Sequence, residues 1–317
     1  MKVYVTGGTG FVGSNIVKVA AEENGAAVFT TVYRWQPDGP VPYEHGRVDM
    51  TDRDQVLASV RAFRPDAIIH SAILKGFDQM YRDRTLAWRA YVDSTRHLTQ
   101  AANEVGAKMI LISSDWVFDG TQSGADEATP PNPVNLYGLL KVVGETVVLE
   151  AADNGAVARI SGVNGMHWTR PEEPQTQNVG YGSLIGALLE TAGRGRPFVM
   201  WHGEINMHAT LSLASESARM MMRIIERDAQ GIFHCCSGAS VSRMDAVRTA
   251  AEVFELDAGL ISTGPPSWVG MAGAQVPHDT SMSAAATAER LDYRLPSAEE
   301  LLRIYRREWE TGTLSAP

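Results

Sequence analysis

The sequence has few of the residues that mark secreted, metal-binding, nucleic-acid-binding or membrane proteins. It has two cysteines in 317 residues, too few for a disulfide framework or for a metal cage of cysteines alone. Basic residues number 28 against 37 acidic ones, a formal net charge of -9, whereas contacts to nucleic-acid phosphates need clustered Lys and Arg. No apolar run reaches the roughly 18 residues of a membrane span, and no signal peptide precedes the first strand-like segment. We therefore expect a cytoplasmic protein with no metal, no nucleic-acid partner and no membrane contact.

The two cysteines, Cys235 and Cys236, are neighbours in the sequence. Neighbouring side chains of a strand point to opposite faces, so a bond between them would be strained. We expect both to be buried free thiols of a protein in a reduced compartment.

Strand and helix signals alternate through the first half of the chain. Apolar and β-branched runs predict strands over 2–6, 27–33, 46–50, 67–70, 108–113 and 157–160, and helical spacing predicts helices over 12–23, 52–63, 85–105 and 135–152. The second half is less regular, with a loop expected over 166–182 and helices over 183–192, 210–227, 244–254 and 296–309. The alternation predicts an α/β fold, a Rossmann-type doubly wound parallel sheet with a smaller C-terminal substrate-binding lobe. We place the dinucleotide-binding domain at 1–165 and the mainly substrate-binding lobe at 166–317, with segments returning to the first domain.

A glycine-rich segment, TGGTGFVG at 6–13, lies between the first strand and the first helix. It can be aligned as GxGxxG from Gly8 or as GxxGxxG from Gly7. Either spacing lets backbone N–H groups approach a diphosphate at a helix N-terminus. The predicted contacts to a dinucleotide cofactor are Gly7, Gly10, Phe11, Val12 and Gly13.

The end of the second strand distinguishes the two nicotinamide cofactors. An NAD enzyme usually places Asp or Glu there to bind the ribose 2′-OH. Thr31, Val32 and Tyr33 include no acid, and Arg34 is available for a 2′-phosphate. NADP(H) is therefore the preferred cofactor, with NAD(H) as the alternative, and a solvated surface Arg34 is the competing interpretation.

Tyr137 and Lys141 lie four residues apart near the start of a predicted helix, so their side chains share one face. A free tyrosine has a pKa of about 10, and a neighbouring ammonium lowers it. A tyrosine so placed can exchange a proton with a carbonyl or alcohol oxygen near neutral pH. By itself such a pair is more often surface packing.

Three segments together resemble the extended short-chain dehydrogenase/reductases: TGGTGFVG at 6–13, SSDWVFDG at 113–120 and NLYGLLKVVGE at 135–145. Within that family they most resemble the dTDP-4-dehydrorhamnose reductase group. The resemblance implies that Ser114 hydrogen-bonds the substrate carbonyl, with Ser113 as the less favoured serine. It also implies that Tyr137 donates the proton and that Lys141 holds the nicotinamide ribose and tunes Tyr137. The further cofactor contacts that it implies are Asp49, Met50, His70, Ser71 and Ala72.

The sequence departs from the family at Tyr91, which stands where the family often has Asn in an NVxGT motif. This departure puts in doubt any proton relay through that position. The resemblance further implies a homodimer formed by the helices at 85–105 and 135–152.

Substrate specificity is expected in 166–182 and 201–210, above the carboxyl ends of the strands. Two groups of side chains there could contact a nucleotide diphosphate or a sugar, although exposed charge or packing explains them equally well: Arg170, Arg194 and Arg196, and His167, Trp168, Trp201 and His208. Met220, Met221 and Met222 are expected to pack inside a helix bundle.

The leading hypothesis is an NADPH-dependent reductase that acts on a ketone, with the 4-keto group of a nucleotide-linked deoxysugar as the candidate substrate. The alternatives are a carbonyl reductase or alcohol dehydrogenase for a small ketone, a sugar-nucleotide epimerase with bound NAD, and a cofactor-binding regulatory subunit without activity. Dehydration is disfavoured because Trp116, and no second acid, follows Asp115.

Overall fold

The computed structural model describes residues 1–33, 35–37, 41–74, 76–173, 175, 177, 183–203, 206–265 and 274–316. Its strands are β1 Lys2–Thr6, β2 Ala27–Val32, β3 Glu44–Arg47, β4 Ala67–His70, β5 Lys108–Ser114, β6 Gly155–Ile160, β7 Val163–Asn164, β8 Phe198–Trp201, β9 His208–Thr210, β10 Ser212–Leu213, β11 Gly231–His234, β12 Ser240–Ser242, β13 Ile261–Gly264 and β14 Asp279–Thr280. Its α-helices are α1 Phe11–Lys18, α2 Arg53–Phe63, α3 Phe77–Arg82, α4 Arg84–Trp88, α5 Ser94–Val105, α6 Leu136–Ala151, α7 Leu184–Thr191, α8 Ala214–Glu226, α9 Arg243–Val253, α10 Ala285–Leu291 and α11 Ala298–Thr311. Short π-helical turns, Val19–Glu23 and Arg89–Asp93, extend α1 and join α4 to α5.

A seven-stranded parallel sheet organises the chain, in the order β11-β6-β5-β4-β1-β2-β3. The strand order reverses between β1 and β4, the switch point where doubly wound sheets bind their ligands. The predicted Rossmann-type α/β fold is confirmed. Six strands come from the first 160 residues, and β11 comes from the second half of the chain.

Helices cover both faces of this sheet, which explains its continuously apolar central strands. All seven residues of β5 are buried. On one face Ile16 of α1 and Met221 of α8 share a core with β1 and β5, and on the other Val56 of α2 and Leu98 of α5 pack on the same strands. None of the described helices is long and apolar enough to cross a membrane.

A further core combines residues of the second half with first-half residues such as Tyr137, and three small sheets accompany it in the described part of the chain. Helices α7, α9 and α11 pack together in this core, and the small sheets pair β8 with β13, β7 with β10, and β9 with β12 and β14. Local capping fixes the last helix, since Ser297 and Glu300 form a reciprocal capping box at the start of α11. The division at residue 165 stays a prediction.

Two predicted elements are wrong at their bounds. The third strand was expected over 46–50, but β3 ends at Arg47 because Asp49 turns the chain by accepting hydrogen bonds from the N–H and hydroxyl of Thr51. The helix expected over 210–227 begins only at Ala214, since Thr210 pairs with Ser240 in an antiparallel ladder. A local turn decides the first bound and pairing with a distant strand decides the second, and periodicity reveals neither.

The interpretations of the sulfur-containing side chains agree with the structure. Cys235 and Cys236 are free and buried, and burial raises the pKa of both thiols. Met220, Met221 and Met222 are fully buried. These residues therefore belong to the core and offer no reactive surface.

Candidate active site

The glycine-rich segment forms a tight loop between β1 and α1. Gly7 has a φ of 67°, which only glycine adopts easily, and its carbonyl accepts from the N–H of Gly10 at 2.9 Å. Gly10 is the N-cap of α1, where no described side chain caps the first turn. The first N–H groups of α1, from Phe11 to Gly13, are therefore placed to bind an anion.

Two further glycines make this loop compact. A Cβ at Gly13 would overlap the carbonyl oxygen of Gly7, and a Cβ at Gly8 would overlap the hydroxyl of Thr30 on β2. The N–H of Gly8 donates to that hydroxyl at 2.9 Å. A larger side chain at either position would therefore force this loop apart, and the compact loop is the form in which backbone N–H groups can approach the diphosphate of a dinucleotide.

The segment after β4 lies directly beside the loop. The N–H groups of Ser71 and Ala72 both donate to the hydroxyl of Thr6, at 3.1 and 3.0 Å. A Cβ at Gly7 would touch Ala72. The predicted cofactor contacts Gly7, Ser71 and Ala72 are therefore brought together at the carboxyl ends of β1 and β4.

The side chain of His70 lies inside the fold. Its Nδ1 lies 2.7 Å from the hydroxyl of Thr6, and its Nε2 lies 3.2 Å from that of Ser94 on α5. Because the Thr6 oxygen already accepts two N–H groups, it donates to Nδ1, and the proton of the neutral ring is on Nε2. Burial, aided by the charge of Lys141, lowers the pKa of His70 to about 3, so this imidazole is a neutral link between β1, β4 and α5.

The edge formed by β2 and β3 holds the residues that were predicted to contact the adenosine half of the cofactor. Asp49 and Met50 are half-buried just after β3, and one oxygen of Asp49 accepts from Thr51. Arg34 lies outside the described residues. Tyr33, which follows β2, is 55% exposed, and no described acidic residue occupies the end of β2.

The two candidate serines at the end of β5 have different environments. Ser114 donates its hydroxyl hydrogen to Asp115 Oδ1 at 2.8 Å and accepts from the N–H of Trp116 at 3.2 Å. The hydroxyl of Ser113 is buried and has no hydrogen-bond partner among the described residues. Ser114 is therefore the serine in a polar network, as the resemblance implied.

Sequence reasoning missed the network around Asp115. This carboxylate is buried and also accepts from the hydroxyl of Ser161 at 2.7 Å. Burial raises its pKa, while its hydrogen bonds and the charge of Arg243 oppose the rise. Arg243, buried on α9, donates to Asn206. The position of Asp115 beside Ser114 was a usable signal, whereas nothing local in α9 marks Arg243.

Tyr137 and Lys141 lie on the first two turns of α6, both buried. The side chain of Asn135 caps this helix by accepting from the N–H of Gly138 at 2.9 Å, and a Cβ at Gly138 would overlap the carbonyl of Trp116. The ammonium of Lys141 donates to the carbonyl of Ile112 on β5 at 2.9 Å. It lies 5.7 Å from the centre of the Tyr137 ring. Helix α6 is thus fixed against β5 with Tyr137 and Lys141 adjacent.

Burial lowers the pKa of Lys141 to about 8, against the opposing influence of Glu145. A buried ammonium of this kind strongly favours any anion formed beside it. The pair therefore suits a reaction in which the Tyr137 phenol gives up its proton.

Tyr91 occupies space beside this pair. Its ring meets that of Tyr137 edge-on at 6.0 Å, and the Lys141 ammonium lies 5.4 Å from its centre. Its hydroxyl donates to the carbonyl of Leu74 at 3.1 Å. The departure from the usual Asn therefore places a second aromatic ring against the ammonium.

Residues 166–173, which we call the strap, pack on the glycine-rich loop. The amide of Asn15 donates to the carbonyl of Met166 and accepts from the indole of Trp168, both at 2.8 Å. The hydroxyl of Thr169 donates to the carbonyl of Thr9 at 3.2 Å. The first half of the segment expected to carry substrate specificity therefore packs on the glycine-rich loop, and its role in specificity stays a prediction.

The arginines proposed for a substrate diphosphate are each held by residues close to them in the sequence. Arg170 forms an ion pair with Glu173 at 2.6 Å and contacts His167. Arg194 pairs with Glu190, and Arg196 donates to the carbonyl of Glu190. Because each is engaged locally, the structure gives no support for a joint diphosphate site.

The aromatic residues proposed to contact a sugar also lie in different parts of the fold. His167 is buried in the strap, and Trp201 is buried in the core of the second half. His208 is half-buried with its ring 5.8 Å from that of His278. Only His208 remains partly accessible among the candidates of 201–210 whose placement is described here.

A parallel sheet with a glycine-rich loop after β1, together with a Tyr and a Lys four residues apart after β5, defines an extended short-chain dehydrogenase/reductase. More particularly, residues 1–180 match the model of the RmlD substrate binding domain, and the chain belongs to that family.

Known proteins of several kinds are similar to the chain. Methionine adenosyltransferase 2 subunit beta of Bos taurus is 26% identical over 95% of this chain and 87% of its own length. The probable low-salt glycan biosynthesis reductase Agl14 of Haloferax volcanii is 26% identical over 83% of each chain.

Two solved structures share the fold. The dTDP-4-dehydrorhamnose reductase of Bacillus anthracis, in complex with NADP, has a TM-score of 0.77 at 21% identity and covers 97% of this chain and 98% of its own. The UDP-glucose 4-epimerase of Thermus thermophilus, in complex with NAD, has a TM-score of 0.78 at 19% identity and covers 99% of this chain and 100% of its own.

Proposed function

We propose that the protein is an NADPH-dependent reductase that converts the 4-keto group of a nucleotide-linked deoxysugar to an alcohol, with Tyr137 as proton donor. The observation that carries this proposal is the placement of Tyr137 and Lys141 on α6, with the ammonium anchored to Ile112 and 5.7 Å from the phenol ring. The similarity to reductases, Agl14 among them, supports the reaction class.

The cofactor would lie along the carboxyl edge of the sheet, its diphosphate in the cradle of Gly7, Gly10 and Gly13. When bound, NADPH supplies the hydride. The absence of an acid at the end of β2 favours NADP(H) over NAD(H). Asp49 and Met50 lie at the adenosine end, and Ser71 and Ala72 lie beside the loop.

The side chains of the site supply the proton and polarise the carbonyl of the substrate. The hydroxyl of Ser114 turns from Asp115 to the substrate oxygen and hydrogen-bonds it as negative charge develops. Tyr137 gives its proton to the same oxygen, so that ketone, hydride and proton together make the alcohol. Lys141 stabilises the phenolate until a proton from solvent restores the phenol.

The test is the oxidation of NADPH, followed by absorbance, with a panel of nucleotide-linked 4-keto sugars that includes dTDP-4-dehydrorhamnose. We expect one equivalent of alcohol for each NADPH consumed. Tyr137→Phe should lose at least about 100-fold in kcat, the usual scale of acid catalysis, while keeping NADPH affinity.

Tyr293→Phe is the matched control, because it removes a tyrosine hydroxyl that donates to Glu216 on α8, outside the proposed site. It should keep full turnover. Full activity of Tyr137→Phe would refute the proposed proton donor. Turnover only with small ketones would indicate a carbonyl reductase, and sugar interconversion without net NADPH consumption would indicate an epimerase.

A second candidate is a cofactor-binding subunit of a larger assembly without turnover of its own. The similarity to methionine adenosyltransferase 2 subunit beta over nearly the whole chain favours it. So does Tyr91, which fills the position of the usual Asn beside Lys141. Tight NADPH binding with no consumption across the substrate panel, together with an NADPH-dependent complex with a methionine adenosyltransferase, would select this function.

We also propose a homodimer through α5 and α6. Leu139 and Leu149 on the outer face of α6 are 48% and 38% exposed, and such apolar faces mark contact surfaces when they are contiguous. Light scattering should give twice the chain mass for wild type and a monomer for Leu139→Glu.

A further inference from the structure

A cation other than Arg34 lies at the edge where the 2′-phosphate of NADP(H) would bind. Arg47 is the last residue of β3, and it pairs with Val32, the last residue of β2. Both strands therefore end at the same level, next to the glycine-rich loop that follows β1. A dinucleotide that starts in that loop runs its ribose along the end of β2, directly beside Arg47.

Tyr33 holds the Arg47 side chain at this edge. The guanidinium carbon lies 5.8 Å from the centre of the Tyr33 ring, the arrangement of a cation on an aromatic face. Both side chains are exposed. A stacked guanidinium keeps its N–H edge free, and that planar edge matches two phosphate oxygens.

Arg47 also lies outside the ion pairs of the described residues. No carboxylate of the described chain forms an ion pair with it, whereas most other described arginines have one, among them Arg61 with Glu104 and Arg219 with Glu23. Asp49, two residues further on, directs one of its oxygens to Thr51. An arginine at the end of a strand that has no ion-pair partner among the described residues is available for an anionic ligand.

We propose that Arg47, stacked on Tyr33, binds the 2′-phosphate and makes the protein selective for NADP(H). This inference rests on the proposed function only in taking a nicotinamide dinucleotide as the cofactor. It assigns selectivity to a residue that the usual position after β2 does not predict.

The test is titration of four nucleotides, NADPH, NADH, 2′,5′-ADP and 5′-AMP, into wild type and Arg47→Ala. We expect wild type to prefer both 2′-phosphorylated ligands. Arg47→Ala should weaken NADPH and 2′,5′-ADP about tenfold, the scale of one hydrogen-bonded charge pair, and leave NADH and 5′-AMP within about twofold. The preference of wild type should fall as salt is raised.

Arg248→Ala is the matched control, an exposed arginine on α9, and it should change none of the four affinities. Tyr33→Leu should lose part of the preference because the stack no longer orients the guanidinium. Thermal unfolding of each variant checks that the fold is kept.

The outcomes separate this inference from the function. If wild type prefers NADPH and Arg47→Ala keeps that preference, the inference is wrong and another cation binds the phosphate. Equal binding of NADH and NADPH by wild type also overturns it, while a reductase that uses NADH survives. If no nucleotide binds, both the inference and the proposed function fail.

Discussion

The hydroxyl of Ser114 donates to the carboxylate of Asp115 at 2.8 Å. The serine expected to polarise the substrate is thus held by its neighbour and must rotate to act. Ser114→Ala should lower kcat by about 100-fold, the usual effect of removing one donor to a developing oxyanion. Its NADPH affinity should be unchanged. Steady-state NADPH oxidation and nucleotide titration measure the two quantities.

Ser113→Ala is the control for that experiment. Its hydroxyl has no hydrogen-bond partner among the described residues, and successive side chains of a strand point to opposite faces. We expect wild-type turnover. Loss of turnover in Ser113→Ala, with activity kept in Ser114→Ala, would assign the catalytic hydroxyl to Ser113.

Lys141→Met should make the protein more stable at neutral pH. Because burial lowers the pKa of Lys141 from 10.5 to about 8, the folded state binds fewer protons than the unfolded state between these values. The unfolding free energy of wild type therefore rises with pH across this window, and the full cost of the buried charge is present below pH 8. Allowing for the lost hydrogen bond to Ile112, we expect a gain of ~1–2 kcal/mol at pH 7, with catalysis abolished.

Urea unfolding at pH 7 and pH 10 measures this effect, and the gain should shrink at pH 10. Lys2→Met is the control, because Lys2 also donates to a backbone carbonyl, that of Phe63, but is exposed. It should show no such pH-dependent gain. An equal loss of stability at both pH values in Lys141→Met would contradict the assignment of a burial cost.

Gly13→Ala should distort the backbone of the glycine-rich loop. The new methyl would overlap the carbonyl oxygen of Gly7, which belongs to the backbone and cannot rotate away. We expect a loss of about 1–3 kcal/mol in unfolding free energy, as for overpacked sites, and no measurable nucleotide binding. Gly193→Ala is the control, because the nearest atom to its new methyl would be 3.8 Å away. Its unfolding free energy, measured by calorimetry, and its nucleotide affinity, measured by titration, should both equal those of wild type within error.

Trp168→Phe should weaken the attachment of the strap while keeping an aromatic ring at this position. The variant removes the indole donor to Asn15, worth about 1 kcal/mol, and should speed NADPH dissociation roughly fivefold. Stopped-flow fluorescence measures the rate, and hydrogen exchange of residues 166–173 should rise in parallel. Trp309→Phe, at an exposed site on α11, is the control. Faster exchange with an unchanged dissociation rate would show that the strap does not retain the cofactor.

The sheet and the pair on α6 were predictable because their signals are local. The run of apolar residues in β5 reports burial on both faces, and the spacing of Tyr137 and Lys141 is one helical turn. The glycine spacing likewise marks the loop, in which Gly7 is required by its positive φ and Gly8 by its contact with Thr30.

The rest depends on contacts between distant segments. The charge of Arg243 on α9 acts on Asp115, and the strap contacts Asn15 across about 150 residues of sequence. Neither has a periodic or motif signal. The same is true of Arg47, whose importance comes from the register between β2 and β3. These parts of the site are formed by contacts between segments far apart in the sequence, and such contacts leave no local pattern to predict them from.

The edge strand β11 affects how the chain folds while it is being synthesised. It pairs with β6 in the main sheet, yet it follows β6 by a long intervening stretch that builds part of the other core. During synthesis, one edge of β6 stays unpaired until that stretch and β11 have left the ribosome. An unpaired strand edge is a template for association with other chains. We therefore expect a nascent chain halted before β11 to require a chaperone, and any fragment ending near residue 165 to aggregate rather than bind nucleotide.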